Sequence, residues 1–253
     1  MVGYDDVAAH FDRRYRECDY GEIGRALLDF IGSAPLTAIL EVGCGTGHWL
    51  RAMTGRADLV VGLDSSAGML RQAREVVPGV RLVRACAEQL PWRDRAFDRI
   101  VCITALHQFA GRIEFLSDVR RLLRPGGGFL SVDLDPHAGW DTWWVYEYFD
   151  AVHGIDLARF APVRTIRSEL VEAGFTWCKS FEAARIENTI SANEALAGGL
   201  ASRTVTSHLR VLSDAQFDRG LERLRQAAAE AVAGAWELQL VTDLRFYATE
   251  GWT

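Results

Sequence analysis

The segment ILEVGCGTGHWL places a short apolar strand directly before three glycines at alternate positions. These glycines are Gly43, Gly45 and Gly47. A glycine turn between a strand and a helix lets the backbone approach a nucleotide-type ligand closely. The dinucleotide fingerprint G-x-G-x-x-G requires a glycine where this chain has His48, and a P-loop requires a lysine that does not follow here. The turn favours a ligand whose uncharged or zwitterionic part lies against the glycines, with Glu41 behind them.

Short apolar segments alternate with helical patterns after this turn. The segments are apolar almost throughout, as strands buried on both faces are. They cover residues 37–42, 58–63, 80–85, 97–103 and 128–134. Before the last one, a helix is predicted with Ile113, Leu116, Val119 and Leu123 on its apolar face and a stop at Pro125. This alternation predicts an α/β fold, a doubly wound Rossmann-like sheet of seven mostly parallel strands with an antiparallel last strand.

Four parts of the chain are predicted from changes in these patterns. They are an N-terminal helical lid (1–35), a core (36–190) with an aromatic lid segment (138–160), an inserted helical cap (191–234) and a final strand (235–253). Inside the cap, Ser213 and Gln216 have the spacing of a helix capping box. The cap is expected to complete a substrate pocket or to form a subunit contact.

Composition and charge limit the partners. The 253 residues carry a net charge of -6 with scattered basic residues, whereas nucleic-acid binders carry basic stripes. Five cysteines form no CxxC pair, so no metal site is predicted, and no apolar run approaches a membrane span. The first residues are acidic where a secretory leader is basic. We expect a cytoplasmic monomer or homodimer with reduced cysteines and no nucleic-acid or membrane partner.

Asp64, in VVGLDSS, ends the second strand. An acid there accepts hydrogen bonds from both hydroxyls of a ribose, and the alternative is a helix N-cap near Ser66. The ordered motifs EVGCGTG, GLDSSxxML, AEQLP, FDRIVCxxALHQF and LLRPGGGFLSV together resemble class I S-adenosylmethionine (SAM) dependent methyltransferases over residues 37–134. More narrowly, they resemble the ubiquinone/menaquinone-biosynthesis-like branch, whose substrates are small molecules.

The resemblance implies SAM as cofactor and assigns it a set of contacts. Glu41 and the backbone of the glycine turn would hold the methionine end. The ribose and adenine would contact Asp64, Ser65, Met69, Ala87 and Glu88, and the backbone at Ile103 and Thr104 would approach the sulfonium. One residue departs from the family pattern, because Cys86 stands where an Asp is common and a thiol accepts hydrogen bonds poorly. Adenine recognition is therefore expected from Glu88 or from backbone.

His107 is the candidate general base, because it follows the fourth strand at the edge where open α/β sheets bind ligands. Imidazole suits proton removal at neutral pH. Lining the pocket without proton transfer, or a structural role, are the alternatives. Asp133, Asp135 and His137 leave the fifth strand at the same edge, although a turn before Pro136 explains Asp135 equally well. The remaining histidines, His208 among them, are expected to be structural or surface residues.

Aromatic residues are dense between 139 and 150. If this segment is one helix, Trp140, Trp144 and Tyr148 share a stripe. The stripe either packs a lid helix or stacks against a flat, apolar or aromatic methyl acceptor. In the N-terminal segment, Tyr4, Phe11 and Tyr15 either cover SAM or pack an amphipathic helix.

The sequence thus predicts a SAM-dependent methyltransferase acting on a small apolar or aromatic molecule, with a secondary metabolite as one option. The alternative is a SAM-binding protein of the same fold that serves as a binding module or catalyses a reaction without methyl transfer. A third hypothesis is an NAD-dependent dehydrogenase. His48 argues against it, because the dinucleotide fingerprint requires a glycine at that position.

Overall fold

The computed structural model describes residues 4, 5, 8–13, 15 and 18–253. Eight strands in this part of the chain form one sheet. They are β1 (Leu36–Val42), β2 (Ala57–Asp64), β3 (Arg81–Arg84), β4 (Phe97–Ile103), β5 (Leu123–Leu134), β6 (Thr142–Trp143), β7 (Trp177–Ser191) and β8 (Gln239–Trp252).

Helices and turns connect the strands. The helices are α1 (Ala8–Phe11), α2 (Gly21–Ile31), α3 (His48–Met53), α4 (Ala67–Val76), α5 (Arg112–Leu122), α6 (Trp144–Tyr148), α7 (Ala151–Arg159), α8 (Val163–Glu172), α9 (Ala192–Ala197), α10 (Ser207–Arg210) and α11 (Asp214–Ala233). Two short 3-10 turns, Leu106–Gln108 and Pro136–Ala138, follow β4 and β5. Across the described part of the chain, every helix is too short or too polar to cross a bilayer.

The sheet has the predicted mostly parallel arrangement. Strands β3, β2, β1, β4 and β5 lie side by side in that order and run parallel. Strand β8 runs antiparallel beside β5, and β7 pairs with the other side of β8. The predicted fold class is therefore confirmed. The two-residue strand β6, which pairs with Thr242 and Asp243 of β8, was not predicted.

Alternate residues of the central strands pack on opposite faces of the sheet. On one face, Ile39 belongs to a core cluster with helices α2 and α3. On the other, Leu40 belongs to a cluster with α5 and α8. Both residues are fully buried. When helices cover both faces of a sheet, its strands are apolar throughout. The unbroken apolar segments of the sequence therefore predicted these central strands.

Two predicted elements differ from the structure. Helix α5 ends at Leu122, because Leu123 already pairs with Phe97 as the first residue of β5. Ile113, predicted on the apolar face, is 39% exposed, and Phe115 is buried in its place. A single helix over 139–150 is wrong, because β6 pairs with β8 and leaves only α6 helical.

The segment between β7 and β8 contains α9, α10 and α11. Helix α11 begins with the predicted capping box, in which Ser213 accepts from the amide of Gln216 and the Gln216 side chain accepts from the amide of Ser213. These helices share a core cluster with α6 that includes Trp144, Leu209 and Leu224. The insertion thus packs against the aromatic segment that follows β5.

Candidate functional site

A cavity opens at the carboxyl edge of β1, β2 and β4, where open α/β sheets bind ligands. The space between its walls, open solvent included, is about 830 Å³. Most predicted cofactor-binding residues line it. They are Gly43, Gly45, Asp64, Ser65, Met69, Ala87, Glu88 and Thr104. Cys86, the residue that departs from the family pattern, also lines this first cavity and is exposed.

The three glycines of the turn all have positive φ, but they meet different surroundings. A Cβ at Gly43 would lie 2.5 Å from the Cβ of Ala105, so this glycine is required for close packing. A Cβ at Gly47 would contact α4 through Ala73 at 3.3 Å. A Cβ at Gly45 would meet no atom within 4 Å and would project into open space. Gly45 is therefore the glycine whose missing side chain leaves room for a ligand.

Asp64 stands at the end of β2 and braces the glycine turn. Its carboxylate accepts from the amide of Gly45 at 2.9 Å and from the amide of Ser66 at 2.8 Å. Burial raises the pKa of Asp64, although these amide donors oppose the shift. The N-cap of α4 is Ser66, whose hydroxyl accepts from the amide of Met69. Both oxygens of Asp64 accept backbone hydrogen bonds, and a carboxylate has further lone pairs that retain acceptor capacity toward the cavity.

Glu41 is fully buried and lies behind the glycine turn without lining the cavity itself. Burial, with the charge of Asp64 as a smaller contribution, raises the pKa of Glu41 well above its usual range, and the amide of Leu50 opposes this. Among the described residues, neither oxygen makes a hydrogen bond of normal geometry. An unpaired buried carboxylate is costly unless a donor or cation approaches it.

We therefore expect the wild type without ligand to lose stability as pH rises. Because the pKa of Glu41 is raised in the folded state, its protonated form contributes stability that is fully present below the carboxyl pKa of the unfolded chain. This stability is lost as pH rises through the pKa of the folded state. The slope reaches at most about 1.4 kcal/mol per pH unit. Urea unfolding between pH 5 and 8 measures this. The free energy of unfolding should fall less steeply with pH in Glu41→Gln than in the wild type, and the remaining pH dependence comes from Asp64. The exposed Glu172→Gln serves as control, and parallel profiles for wild type and Glu41→Gln would contradict the assignment.

The N-terminal segment lies over this cavity. Tyr4, Phe11 and Tyr15 line it. Asp5 accepts from the hydroxyl of Ser66 at 2.6 Å and from the amide of Gly68 at 2.8 Å. These two contacts lower the pKa of Asp5. They attach the segment to the start of α4, beside the residue predicted to bind the ribose.

A second cavity adjoins the first and has an empty volume of about 1110 Å³. Five residues line both cavities and mark their junction. They are Phe11, Tyr15, Trp49, Thr104 and Gln108. The walls of the second cavity are mainly aromatic and aliphatic, with Trp143, Trp144 and Phe246 among them. Thr104 has a φ of 52°, uncommon for a residue with a side chain, where the chain leaves β4.

His107 lines the second cavity and pairs with Asp133 at the end of β5. The distance between Nδ1 of His107 and Oδ2 of Asp133 is 2.8 Å, and both side chains are less than 10% exposed. A carboxylate can only accept, so Nδ1 of the neutral imidazole carries the proton and Nε2 is the acceptor. Nε2 is buried and makes no hydrogen bond among the described residues. The ring stacks on Phe160 at 4.1 Å. Such an imidazole is oriented for accepting a proton.

Three predicted pocket residues lie elsewhere. Trp140 is 63% exposed beside the guanidinium of Arg245, because β6 interrupts the predicted helix. Tyr148 is buried at the end of α6, where it borders a groove with α11. Asp135 accepts from the amides of His137 and Val163, which is the turn role considered as its alternative. Of the three aromatic residues, Trp144 alone lines the second cavity in the described structure.

The sequence did not identify His208 as a site residue. It lines the second cavity, and its Nδ1 lies 2.5 Å from Oδ2 of the fully buried Asp156. His208 is 8% exposed, so it is not a surface residue, and its structural role stays a prediction. No local motif marks either residue, because they are 52 positions apart and only the packing of α10 against α7 joins them.

Comparisons with known proteins point to one family. A family model described as a methyltransferase domain matches residues 39–127, from β1 to the beginning of β5. An uncharacterized methyltransferase of Synechocystis sp. is 32% identical over 151 residues, which are 59% of this chain and 71% of that protein. The family match therefore includes the glycine turn, Asp64 and His107.

Two further proteins are similar over different extents. Phthiotriol/phenolphthiotriol dimycocerosates methyltransferase 1 of Mycobacterium ulcerans is 40% identical over 102 residues, which are 39% of this chain and 38% of that protein. The match thus spans well under half of that relative. A solved structure of a SAM dependent methyltransferase from Aquifex aeolicus has a TM-score of 0.56 at 16% identity and covers 72% of this chain and 94% of that chain. At this identity the likeness shows the fold.

Proposed function

This chain belongs to the methyltransferase family, and from that premise we propose that it transfers a methyl group from SAM to a small apolar or aromatic molecule. The single observation that carries the proposal is the junction of the two cavities at Thr104 and Gln108. The proposed nucleoside-type site would then adjoin an apolar chamber that contains His107. The order of the motifs supports the ubiquinone/menaquinone-biosynthesis-like branch.

The residues in the first cavity, and Glu41 behind its glycine turn, fit SAM. Gly45 leaves open space at the turn, as a ligand lying against the backbone requires. Glu41 has two buried oxygens that a cationic ammonium group would satisfy. Asp64 retains acceptor capacity for the ribose hydroxyls. We assign Ser65, Met69, Ala87 and Glu88 to the nucleoside and the backbone at Thr104 to the methionine end.

Methyl transfer places few demands on the protein. When bound, SAM supplies a sulfonium-activated methyl group for an in-line displacement. The chain aligns the acceptor, excludes water and removes a proton where the acceptor must lose one. We assign proton removal to Nε2 of His107, and Asp133 holds the imidazole in the required tautomer.

The chemistry of the second cavity supports an apolar or aromatic acceptor. Trp143, Trp144 and Phe246 contribute aromatic surface to its lining. Flat aromatic surfaces favour planar ligands through stacking. We propose that the aromatic segment 138–160 and the insertion 191–234 close this chamber, because both contribute lining residues.

Conversion of SAM to S-adenosylhomocysteine (SAH) in the presence of an acceptor panel tests this function. Phenols, quinols, aromatic amines and fatty acids form the panel, and mass spectrometry identifies the methylated atom. We expect turnover with planar phenolic or amine acceptors. Tight SAM binding without turnover on any member would instead favour the SAM-binding protein that does not transfer methyl groups.

The N-terminal segment is proposed as the lid of the SAM site, and Asp5→Ala tests this. Losing the contacts to Ser66 and Gly68 should weaken SAM binding by roughly three- to tenfold, chiefly by speeding dissociation, because the lid would open more often. Stopped-flow displacement of SAM by SAH measures the rate. The exposed Asp58→Ala serves as control, and an unchanged dissociation rate in Asp5→Ala would exclude the lid role of this contact.

A further inference from the structure

The second cavity holds a second histidine–carboxylate pair, which the proposed reaction does not use. We propose that His208 recognises the methyl acceptor: its Nε2 accepts a hydrogen bond from a second hydroxyl or N–H group, distinct from the group that is methylated at His107. This inference rests on the proposed function, because it takes the second cavity as the acceptor site.

The pair is built as a fixed unit. Nδ1 of His208 lies 2.5 Å from Oδ2 of Asp156, and the hydroxyl of Tyr146 donates to the same oxygen at 3.2 Å. Arg159 forms an ion pair with Oδ1 of Asp156 at 3.5 Å. Asp156 is fully buried and His208 almost so. A buried carboxylate with three such neighbours fixes the ring plane and the tautomer of the imidazole that it binds.

The charges around Asp156 indicate a neutral His208. Arg159 already supplies one positive charge to the single negative charge of Asp156. A second cation in this buried place would carry an uncompensated charge, which is costly away from water. Because Nδ1–H of His208 donates to the carboxylate, Nε2 of the neutral ring carries a lone pair. His208 therefore presents an acceptor, and its matching group on a ligand is a donor.

Phe160 relates the two histidines. Its ring stacks against His107 at 4.1 Å and 21°, and against His208 at 5.4 Å and 9°. Both imidazoles thus stack on the same phenyl ring. Trp143 packs edge-on against His208 at 4.9 Å and lines the same cavity. The geometry presents two imidazoles at fixed places in one aromatic-walled chamber.

This arrangement defines a substrate class. The acceptor is a planar molecule with two separated hydrogen-bond donors, as in an aromatic diol or an aminophenol. One donor lies at His107 and loses its proton on methylation, and the other stays bound at His208. Which group is methylated is then set by which of them reaches His107. A ligand with one donor can use only one of the two imidazoles.

Binding of naphthols tests the role of His208. Isothermal calorimetry, with and without saturating SAH, compares 2-naphthol with the 1,3-, 1,6- and 2,7-dihydroxynaphthalenes. We expect at least one diol to bind the wild type about tenfold more tightly than 2-naphthol, the usual effect of one additional well-placed hydrogen bond. His208→Asn keeps an amide donor for Asp156 but has no equivalent of Nε2, and His208→Phe keeps the ring packing. Both variants should lose the preference.

A third histidine, outside the second cavity, provides the control. His153→Ala, an exposed histidine on α7, should keep the preference. If both His208 variants bound 2-naphthol and the diols more weakly by the same factor, His208 would have a packing role and the inference would be wrong. A diol preference that survives in both variants would also overturn it. So would the absence of a diol preference in the wild type. Because binding is measured without turnover, absence of SAH production in the acceptor panel would fail the proposed function while leaving this test of His208 intact.

Discussion

Replacing His107 by alanine should lower kcat for methyl transfer by about 10²–10⁴-fold, the usual contribution of a positioned general base. The buried Nε2 of this imidazole makes no hydrogen bond among the described residues, while Nδ1 is held by a carboxylate. SAM affinity should stay within about twofold, because His107 does not line the first cavity. Single-turnover measurements at saturating SAM separate the chemical step from binding.

Asp133→Asn is the companion variant. The amide can present its NH₂ group to Nδ1, which would move the imidazole proton to Nε2 and remove the acceptor lone pair. With an acceptor that must lose a proton, we therefore expect kcat of Asp133→Asn to fall about as much as that of His107→Ala. The double variant of His107 and Asp133 should show no further loss, because the two residues act as one unit. His153→Ala should be unaffected. Unchanged turnover of His107→Ala at saturating SAM would remove this residue from the mechanism.

The sequence predicted the parts of the site that lie close together along the chain. The glycine turn and Asp64 each follow a buried strand, and strand ends in a parallel sheet meet at one edge. His107 and Asp133 were both placed at that edge for the same reason. Their direct pairing was not predicted, because it depends on how the 3-10 turn after β4 orients the imidazole.

Contacts between distant segments escaped the sequence analysis. The aromatic stripe predicted for Trp140, Trp144 and Tyr148 assumed one helix, whereas pairing of Thr142 with Asp243, about a hundred positions away, imposes a strand. Helical spacing alone carries no information about such a partner. His208 likewise becomes a cavity residue through Asp156 on another helix. The cofactor side is thus encoded locally, and the acceptor side depends on tertiary packing.

Replacing Asp64 by alanine should weaken SAM binding by about 10²-fold or more. Two hydrogen bonds from ribose hydroxyls to a carboxylate each contribute about 1.5–3 kcal/mol, so losing both has a large effect. The variant also removes the acceptor for the amides of Gly45 and Ser66, which position the turn. Calorimetry with SAM and with SAH measures the loss, and thermal unfolding checks that the variant remains folded.

Two comparisons make the Asp64 result specific. Glu88→Ala, in the same cavity, should cost about tenfold or less, because Glu88 is assigned to the adenine edge and its Oε1 is already engaged by the amide of Ala110 at 3.3 Å. Asp64→Asn should fall between wild type and alanine, because the amide keeps one acceptor oxygen. If Asp64→Ala bound SAM as the wild type does, Asp64 would act only as a brace for the turn. Binding of NADH by the wild type in place of SAM would overturn the cofactor assignment itself, and with it the conclusion drawn from His48.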